Sequence, residues 1–396
     1  MTREAIVLYT LVVYNLLLIA IGLWAARRNR DTRDFLLAGG KMGGWVAGLS
    51  ASASSSSAWT LLGVSGAAFA WGLPALWLFP ATLGGFLINW FFVAPRLQRL
   101  AATSGALTLS GILAPTSFGA QRQLVLRVAS CIVLFCFLFY IAAQFDGAGK
   151  AFAANFQWSS TTSIIVGASI VMLYTLVGGF WAVSVTDALQ AVTMLLVALV
   201  LPVAAILAVM SGPQSWLAAL TDHGGPDMSG LVGLAFVLGT LGIGLGYPGQ
   251  PHVVNRFMAL RDDAALRRGR RVAIGWALLV YAGMLVLGLS ARVLLDGLGD
   301  GEQALFVAAG MLLPPVLAGL VLAAVLSAIM STADSQLLTA SAAVAHDWQG
   351  DSADPDDAPR KARIVVIVLS ILSVALALFV PDDIFSRVLF AWHAIG

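Results

Sequence analysis

Apolar stretches long enough to cross a bilayer recur along the whole chain. They lie at about 5–26, 43–71, 73–94, 124–148, 161–181, 187–211, 230–255, 272–296, 304–344 and 364–380, and an eleventh begins near Ile384 and runs to Gly396. A helix needs about 20 residues to span the hydrocarbon core. Only structures that close their own backbone hydrogen bonds survive there. The pattern therefore predicts an all-α polytopic membrane protein. Charge agrees, since 11% of the residues are charged against about 25% in a soluble domain. The first stretch is followed by Arg27, Arg28 and Arg30 and by no small-residue cleavage site, so it is expected to stay as a helix. One transmembrane domain is expected over 1–396, with ten complete spans and the chain stopping inside the eleventh.

The basic residues alternate between loops. Eighteen of the 22 lysines and arginines follow odd-numbered spans: Arg27, Arg28, Arg30, Arg33 and Lys41; Arg96, Arg99, Arg122 and Arg127; Arg256, Arg261, Arg267, Arg268, Arg270 and Arg271; Arg360, Lys361 and Arg363. Arg3, Lys150, Arg292 and Arg387 lie on the other side. The positive-inside rule puts the rich side in the cytoplasm and the N-terminus outside. The acidic segment 349–359 is read as a cytoplasmic loop.

Several classes are excluded. No basic tract with interleaved aromatics is present, so nucleic acid is not a partner. No P-loop, HExxH or CxxC pattern occurs and the four histidines are scattered, which argues against an ATP-driven pump, a metalloenzyme or any other enzyme. Cys131 and Cys136 are five apart on one helix and face different directions, so they are read as small core residues. The partners expected are the lipid bilayer and a small-molecule solute, with no obligate protein partner evident.

Function is sought where the apolar pattern fails. In span 2, six of the eight residues Ser50 to Ser57 are serine. That suits a tight packing face whose serines bond back to their own helix. It equally suits an unwound segment offering carbonyls and hydroxyls to a cation. Span 7 carries Gly239, Gly242, Gly244, Gly246, Pro248, Gly249 and Pro251 around Tyr247, a composition that breaks a helix. Broken backbone at membrane depth is tolerated only when buried in protein or lining a cavity. Spans 2 and 7 are five apart, as two five-helix repeats that each begin with a discontinuous helix would place them. The repeats would be 43–211 and 230–396, inverted because each has an odd number of spans.

Span 9 contains Ser331, Thr332, Asp334 and Ser335. Ser331, Asp334 and Ser335 share one helical face. An acidic residue at this depth marks a site by default, and a cation-binding face is expected. The alternative is an Asp hydrogen-bonded to a neighbouring helix. Asp187 and Gln190 open span 6, where an Asp also suits a helix cap.

Five stretches carry a family resemblance: Asp34-Phe35-Leu36-Leu37-Ala38-Gly39-Gly40, Gly178-Gly179-Phe180-Trp181-Ala182-Val183-Ser184-Val185-Thr186-Asp187, Gly244-Leu245-Gly246-Tyr247-Pro248-Gly249-Gln250-Pro251-His252, Arg256-Phe257-Met258-Ala259 and Met330-Ser331-Thr332. Together and in this order they resemble the sodium/solute symporter family, and within it the sodium/proline symporters most closely. The resemblance implies leucine-transporter-type inverted five-helix repeats preceded by one extra N-terminal helix, here C-terminally truncated. It implies Na+ as coupling ion and a multi-pass place in the bacterial inner membrane. Carried over by position, the main sodium site would use the carbonyls of Ala53, Ser56 and Ala328 and the hydroxyls of Ser331 and Thr332. A second sodium site, present in some relatives, falls on Asp187, Ser331, Asp334 and Ser335. The solute pocket of the proline carriers maps to Ser57, Trp59, Tyr140, Tyr247 and Pro251, and Ile243 stands there in place of a tryptophan. Two further departures are Ser55 where those carriers have aspartate, and Asp334 where they have serine. A carboxylate lost from span 2 and gained on span 9 keeps one negative charge near the cation, and Asp334 is expected to act in a second cation site with Asp187.

The function implied is Na+-coupled symport of proline or a related amino acid by alternating access. Symport of a sugar, carboxylate or vitamin is the alternative within the family. A transporter-like sensor module is the alternative outside it. One cation moving inward contributes about 2.3 kcal/mol per 100 mV and a tenfold gradient about 1.4 kcal/mol. Together these sustain a roughly several-hundred-fold accumulation of a neutral solute.

Overall fold

The computed structural model describes residues 2–27, 37–177, 179–212, 225–295, 297–348, 358–380 and 383–395. Arg28, Arg30, Arg33, the stretch Asp34 to Leu36, Gly178 and most of the acidic segment (349–357) lie outside them. Among the described residues eight helices are long and apolar enough to cross a membrane. The remaining apolar stretches are divided or shorter helices.

The first helix, α1 (Arg3–Ala26), starts at a Thr2 side chain that accepts from the Ala5 N–H. Span 2 is two pieces: α2 (Gly44–Ser55), then a wide π turn (Trp59–Gly63) running into α3 (Val64–Trp71). Ser56 interrupts it at φ −112°, ψ 79°. Span 3 runs through α4 (Leu78–Ile88) and α5 (Ala94–Ser104). A short α6 (Leu109–Leu113) leads to the long α7 (Arg122–Phe156), α8 (Ser160–Val177) and α9 (Phe180–Ser211). Span 7 is α10 (Gly230–Gly242), a 3-10 segment (Ile243–Gly249) and α11 (Pro251–Met258). Then follow α12 (Asp263–Leu294), α13 (Ala304–Leu312), α14 (Pro315–Ala342), α15 (Ala358–Phe379) and α16 (Ile384–Ile395).

Four sequence expectations change. The stretch 304–344 is two helices, because Leu313 and Pro314 are extended and the Pro314-Pro315 pair cannot continue a helix. Helix α9 begins at Phe180, seven residues ahead of Asp187. Asp187 is therefore a mid-helix residue and not a cap. Arg256 lies inside α11 and is 1% exposed, so it does not belong with the loop arginines. Cys131 is exposed, not packed in the core, while Cys136 is buried and both thiols are free.

Loop contacts sort into two ends. The Met42 N–H donates to the Ala259 carbonyl (2.9 Å) and the Arg261 N–H to the Met42 carbonyl (3.1 Å). The Thr108 hydroxyl donates to Asp347 (2.8 Å) and Gln123 to the Asp347 carbonyl (3.1 Å). The segments after spans 1, 3, 7 and 9 therefore meet at one end. At the other end Arg3 donates to the Leu313 carbonyl (3.1 Å), Arg292 to that of Phe69 (2.6 Å), and Lys150 pairs with Asp300 (3.3 Å) and Glu302.

Helix α14 is the axis of the bundle. Its most apolar 18-residue window is 83% buried, against 22% for α1. The serines, threonine and aspartate on α14 therefore face protein and not lipid. Close helix approach depends on small residues. A Cβ at Gly244 would lie 2.2 Å from the Ala81 carbonyl oxygen, which fixes the 3-10 segment directly against α4.

Candidate functional site

The break in span 2 faces α14 through hydrogen bonds between hydroxyls and freed carbonyls. At the end of α2 the carbonyls lack the i+4 N–H partners of a continuing helix. The Ser331 hydroxyl donates to the Ala53 carbonyl (3.1 Å) and lies 3.3 Å from that of Ala328. The Thr332 hydroxyl donates to the Ser54 carbonyl (3.1 Å). Ser56 stands at the break with its N–H on the Ala53 carbonyl (3.0 Å). Ala53, Ser56, Ala328, Ser331 and Thr332 are thus brought together, and all are fully buried. Neutral carbonyl and hydroxyl oxygens converging from two helices are the donor set that a hard cation such as Na+ takes.

The span 2 serines divide by role. Ser52 and Ser55 bond back to the Gly48 and Ser52 carbonyls (2.8 and 3.0 Å). Ser50 and Ser54 instead donate to Asp187 Oδ2 (2.7 and 3.2 Å). The back-bonding expected of the serine run is therefore seen at Ser52 and Ser55, while Ser50 and Ser54 reach across to another helix.

Asp187, Asp334 and Ser335 also converge, one turn from Ser331. Ser54 and Ser335 hydroxyls are 3.0 Å apart, and Ser335 lies 3.2 Å from Asp334 Oδ1. Arg256 stands among them: its Nη2 donates to Asp187 Oδ2 (2.8 Å) and to Ser335 (2.5 Å), and its Nε to Ser50 (3.0 Å). The sequence placed this guanidinium in a loop, so its role here was missed.

On the other flank of the break is an aromatic cluster. The Ala58 N–H is taken by Gln144 Oε1 (2.9 Å) and the Trp59 N–H by Ser57 Oγ (3.2 Å). Trp59 lies 5.4 Å from Trp392, and Tyr247 packs edge-on to Trp392 at 4.6 Å. Tyr247 and Tyr281 hydroxyls are 2.6 Å apart, and Tyr281 reaches Thr60 at 3.3 Å. The Tyr140 ring is 5.9 Å from that of His252. Ile243 and Pro251 bracket the 3-10 segment and are buried. Among the described residues the buried Trp59 Nε1 meets no acceptor.

Four residues of this region were missed from sequence. Gln144 is the one amide in the apolar stretch 124–148, a signal that was present and unused. Arg256 was a lone arginine hidden by its loop neighbours. Tyr281 lies in an apolar span and carries no pattern. Trp392 was seen only as part of the last apolar run, yet it packs against both Trp59 and Tyr247.

A sequence model of the sodium:solute symporter family matches residues 35–396. The high-affinity proline transporter PutP of Bacillus subtilis is 31% identical over 391 residues, covering 96% of this chain and 82% of that protein. The sodium/proline symporter of Escherichia coli is 32% identical over 405 residues, covering 98% and 80%. Among solved structures, a substrate-bound, outward-open Na+-coupled sialic acid symporter superposes with a TM-score of 0.77 at 19% identity, over 94% of this chain and 80% of that one. MhsT in complex with L-phenylalanine superposes at 0.57 and 13% identity, over 88% and 85%. The fold is the leucine-transporter type, with one helix added ahead of its repeats.

Proposed function

The chain belongs to the sodium:solute symporter family, and from that premise we propose that it carries proline inward with Na+ held between α2 and α14. It is a multi-pass, Na+-coupled secondary transporter with a small-molecule substrate. The relatives that match nearly its full length are proline carriers, which supports proline as the solute.

The observation that carries the reading is the pair of α14 hydroxyls seated on the broken end of α2. Na+ would turn those O–H groups away from the carbonyls they bond and be held by the Ala53, Ser56 and Ala328 carbonyls with the Ser331 and Thr332 oxygens. Binding ties α2 to α14 and steadies the break. The solute then settles between the two broken spans. Its ring packs among Trp59, Tyr140, Tyr247 and Trp392, and its carboxylate accepts from Trp59 Nε1 and the Ser57 hydroxyl. Pro251 and Ile243 close the span 7 side. The bundle rocks and both leave inward. The basic loops lie on the cytoplasmic side of a bacterial inner membrane, with the N-terminus outside.

Radiolabelled proline uptake into proteoliposomes tests this, with an inward gradient of Na+, Li+, K+ or H+. Accumulation is expected with Na+ and not with K+ or H+. Uptake of another solute, but not proline, under the Na+ gradient would overturn the assignment of proline.

A further inference from the structure

The second cation position implied by the family resemblance already holds a positive charge. Of the residues expected to form it, Asp187 and Ser335 both accept from Arg256 Nη2. The same side chain donates from Nε to Ser50 and from Nη1 to the His252 carbonyl, and its guanidinium carbon lies 5.2 Å from the Phe180 ring centre. It thus joins α2, α9, α11 and α14 and is 1% exposed. We propose that the Arg256 guanidinium is the fixed occupant of the second cation position, so that this chain binds a single Na+. The proposal rests on the reading of the Ser331–Thr332 site as the place of the transported Na+.

Three arguments support it. A guanidinium stays protonated and offers only donors, so it cannot vacate its charge or serve as a ligand. Asp187 Oδ2 and the Ser335 oxygen, two of the oxygens Na+ would take at that position, already receive its N–H groups. The Asp187 carboxylate, which a second cation would need as its counter-charge, is already paired with Arg256 at 2.8 Å.

The charges also balance for a single Na+. Arg256 neutralises Asp187. Asp334 remains, and its Oδ2 has no partner among the described residues. It lies one turn from Ser331, so its charge is the counter-charge of the Na+ at Ser331 and Thr332.

Removing the guanidinium would create the missing site. Asp187 Oδ1 and Asp334 Oδ2 are both buried without partners among the described residues, and the Ser54 and Ser335 hydroxyls stand beside them. The test counts 22Na+ bound at saturation to purified protein, which needs no solute. Wild type is expected to bind one ion per chain, Arg256→Gln two, and Arg256→Lys one. Two ions on the wild type, or one on an Arg256→Gln protein with unchanged helix content, would overturn the proposal. If Arg256→Gln does not fold, the wild-type count alone decides. A wild type that binds no Na+ would bring down the reading of the main site, and this proposal with it.

Discussion

The two broken spans come apart for opposite reasons. Span 7 breaks because its sequence cannot do otherwise: Pro248 lies within the 3-10 segment and Pro251 follows it. Span 2 has neither glycine nor proline between Ala51 and Leu62. Its break is held from outside, by Gln144 on the Ala58 N–H and by Ser331 and Thr332 on the Ala53 and Ser54 carbonyls. A break built into the chain is a rigid wall. A break held by neighbours is conditional, and its neighbours are the groups assigned to Na+. On the proposed sodium site, span 2 is the element whose shape Na+ would control, and span 7 the frame it would close against.

The sharpest way to break this comparison is to remove the outside hold. Ser331→Ala combined with Thr332→Ala deletes both hydroxyl ligands. At about tenfold per lost ligand, the Na+ concentration for half-maximal uptake should rise about 100-fold. A change under threefold would show that Na+ does not sit there. The matching change in span 7 acts on packing. Gly244→Ala sets a Cβ 2.2 Å from the Ala81 carbonyl oxygen, and backbone cannot yield as a side chain can. A loss of about 2–3 kcal/mol is expected, read as lower thermal stability in detergent with Na+ affinity unchanged in the folded fraction. Should Na+ affinity fall instead, the two breaks are not separable.

Gln144→Ala probes the same hold from the solute side. It strands the buried Ala58 N–H, at a cost of about 1–2 kcal/mol. The solute KM should rise roughly tenfold while kcat under saturating solute changes less. An unchanged KM would mean that span 2 keeps its break without Gln144.

How far the sequence reached follows from the same contrast. Spans, end-to-end alternation and both breaks were legible because hydropathy, charge and glycine or proline are local signals. The positions of Ala53, Ser56, Ala328, Ser331 and Thr332 came from the family resemblance, and the structure brings them side by side. Partnership across helices was not. Nothing local says that Gln144 meets Ala58, 86 positions away, or that Arg256 reaches Asp187 across 69. Arg256 misled because a lone arginine beside a basic loop looks like part of it, and only burial separates the two. Asp187 looked like a cap because the start of α9 was placed seven residues late.

The smallest expected effect is also the most pointed. Ser55 stands in the middle of the serine run, at the position where the proline carriers it resembles have an aspartate. In this chain its hydroxyl bonds back to the Ser52 carbonyl at 3.0 Å, while Ser50 and Ser54 point at Asp187. Ser55→Ala removes one local bond of a kind that slightly destabilises helices anyway. Na+ activation and solute KM should both stay within about twofold, since the lost hydroxyl bonds only its own helix and donates to neither a Na+ ligand of α14 nor Asp187. Ser54→Ala, one residue away, should do more, because it strips a donor from the Asp187 carboxylate. If Ser55→Ala weakened Na+ activation tenfold, the cation's counter-charge would have to be supplied through span 2. The carboxylate on α14 would then be surplus to it. A neutral result leaves Asp334 as the carboxylate that balances Na+, moved from the conditional span to the axis of the bundle.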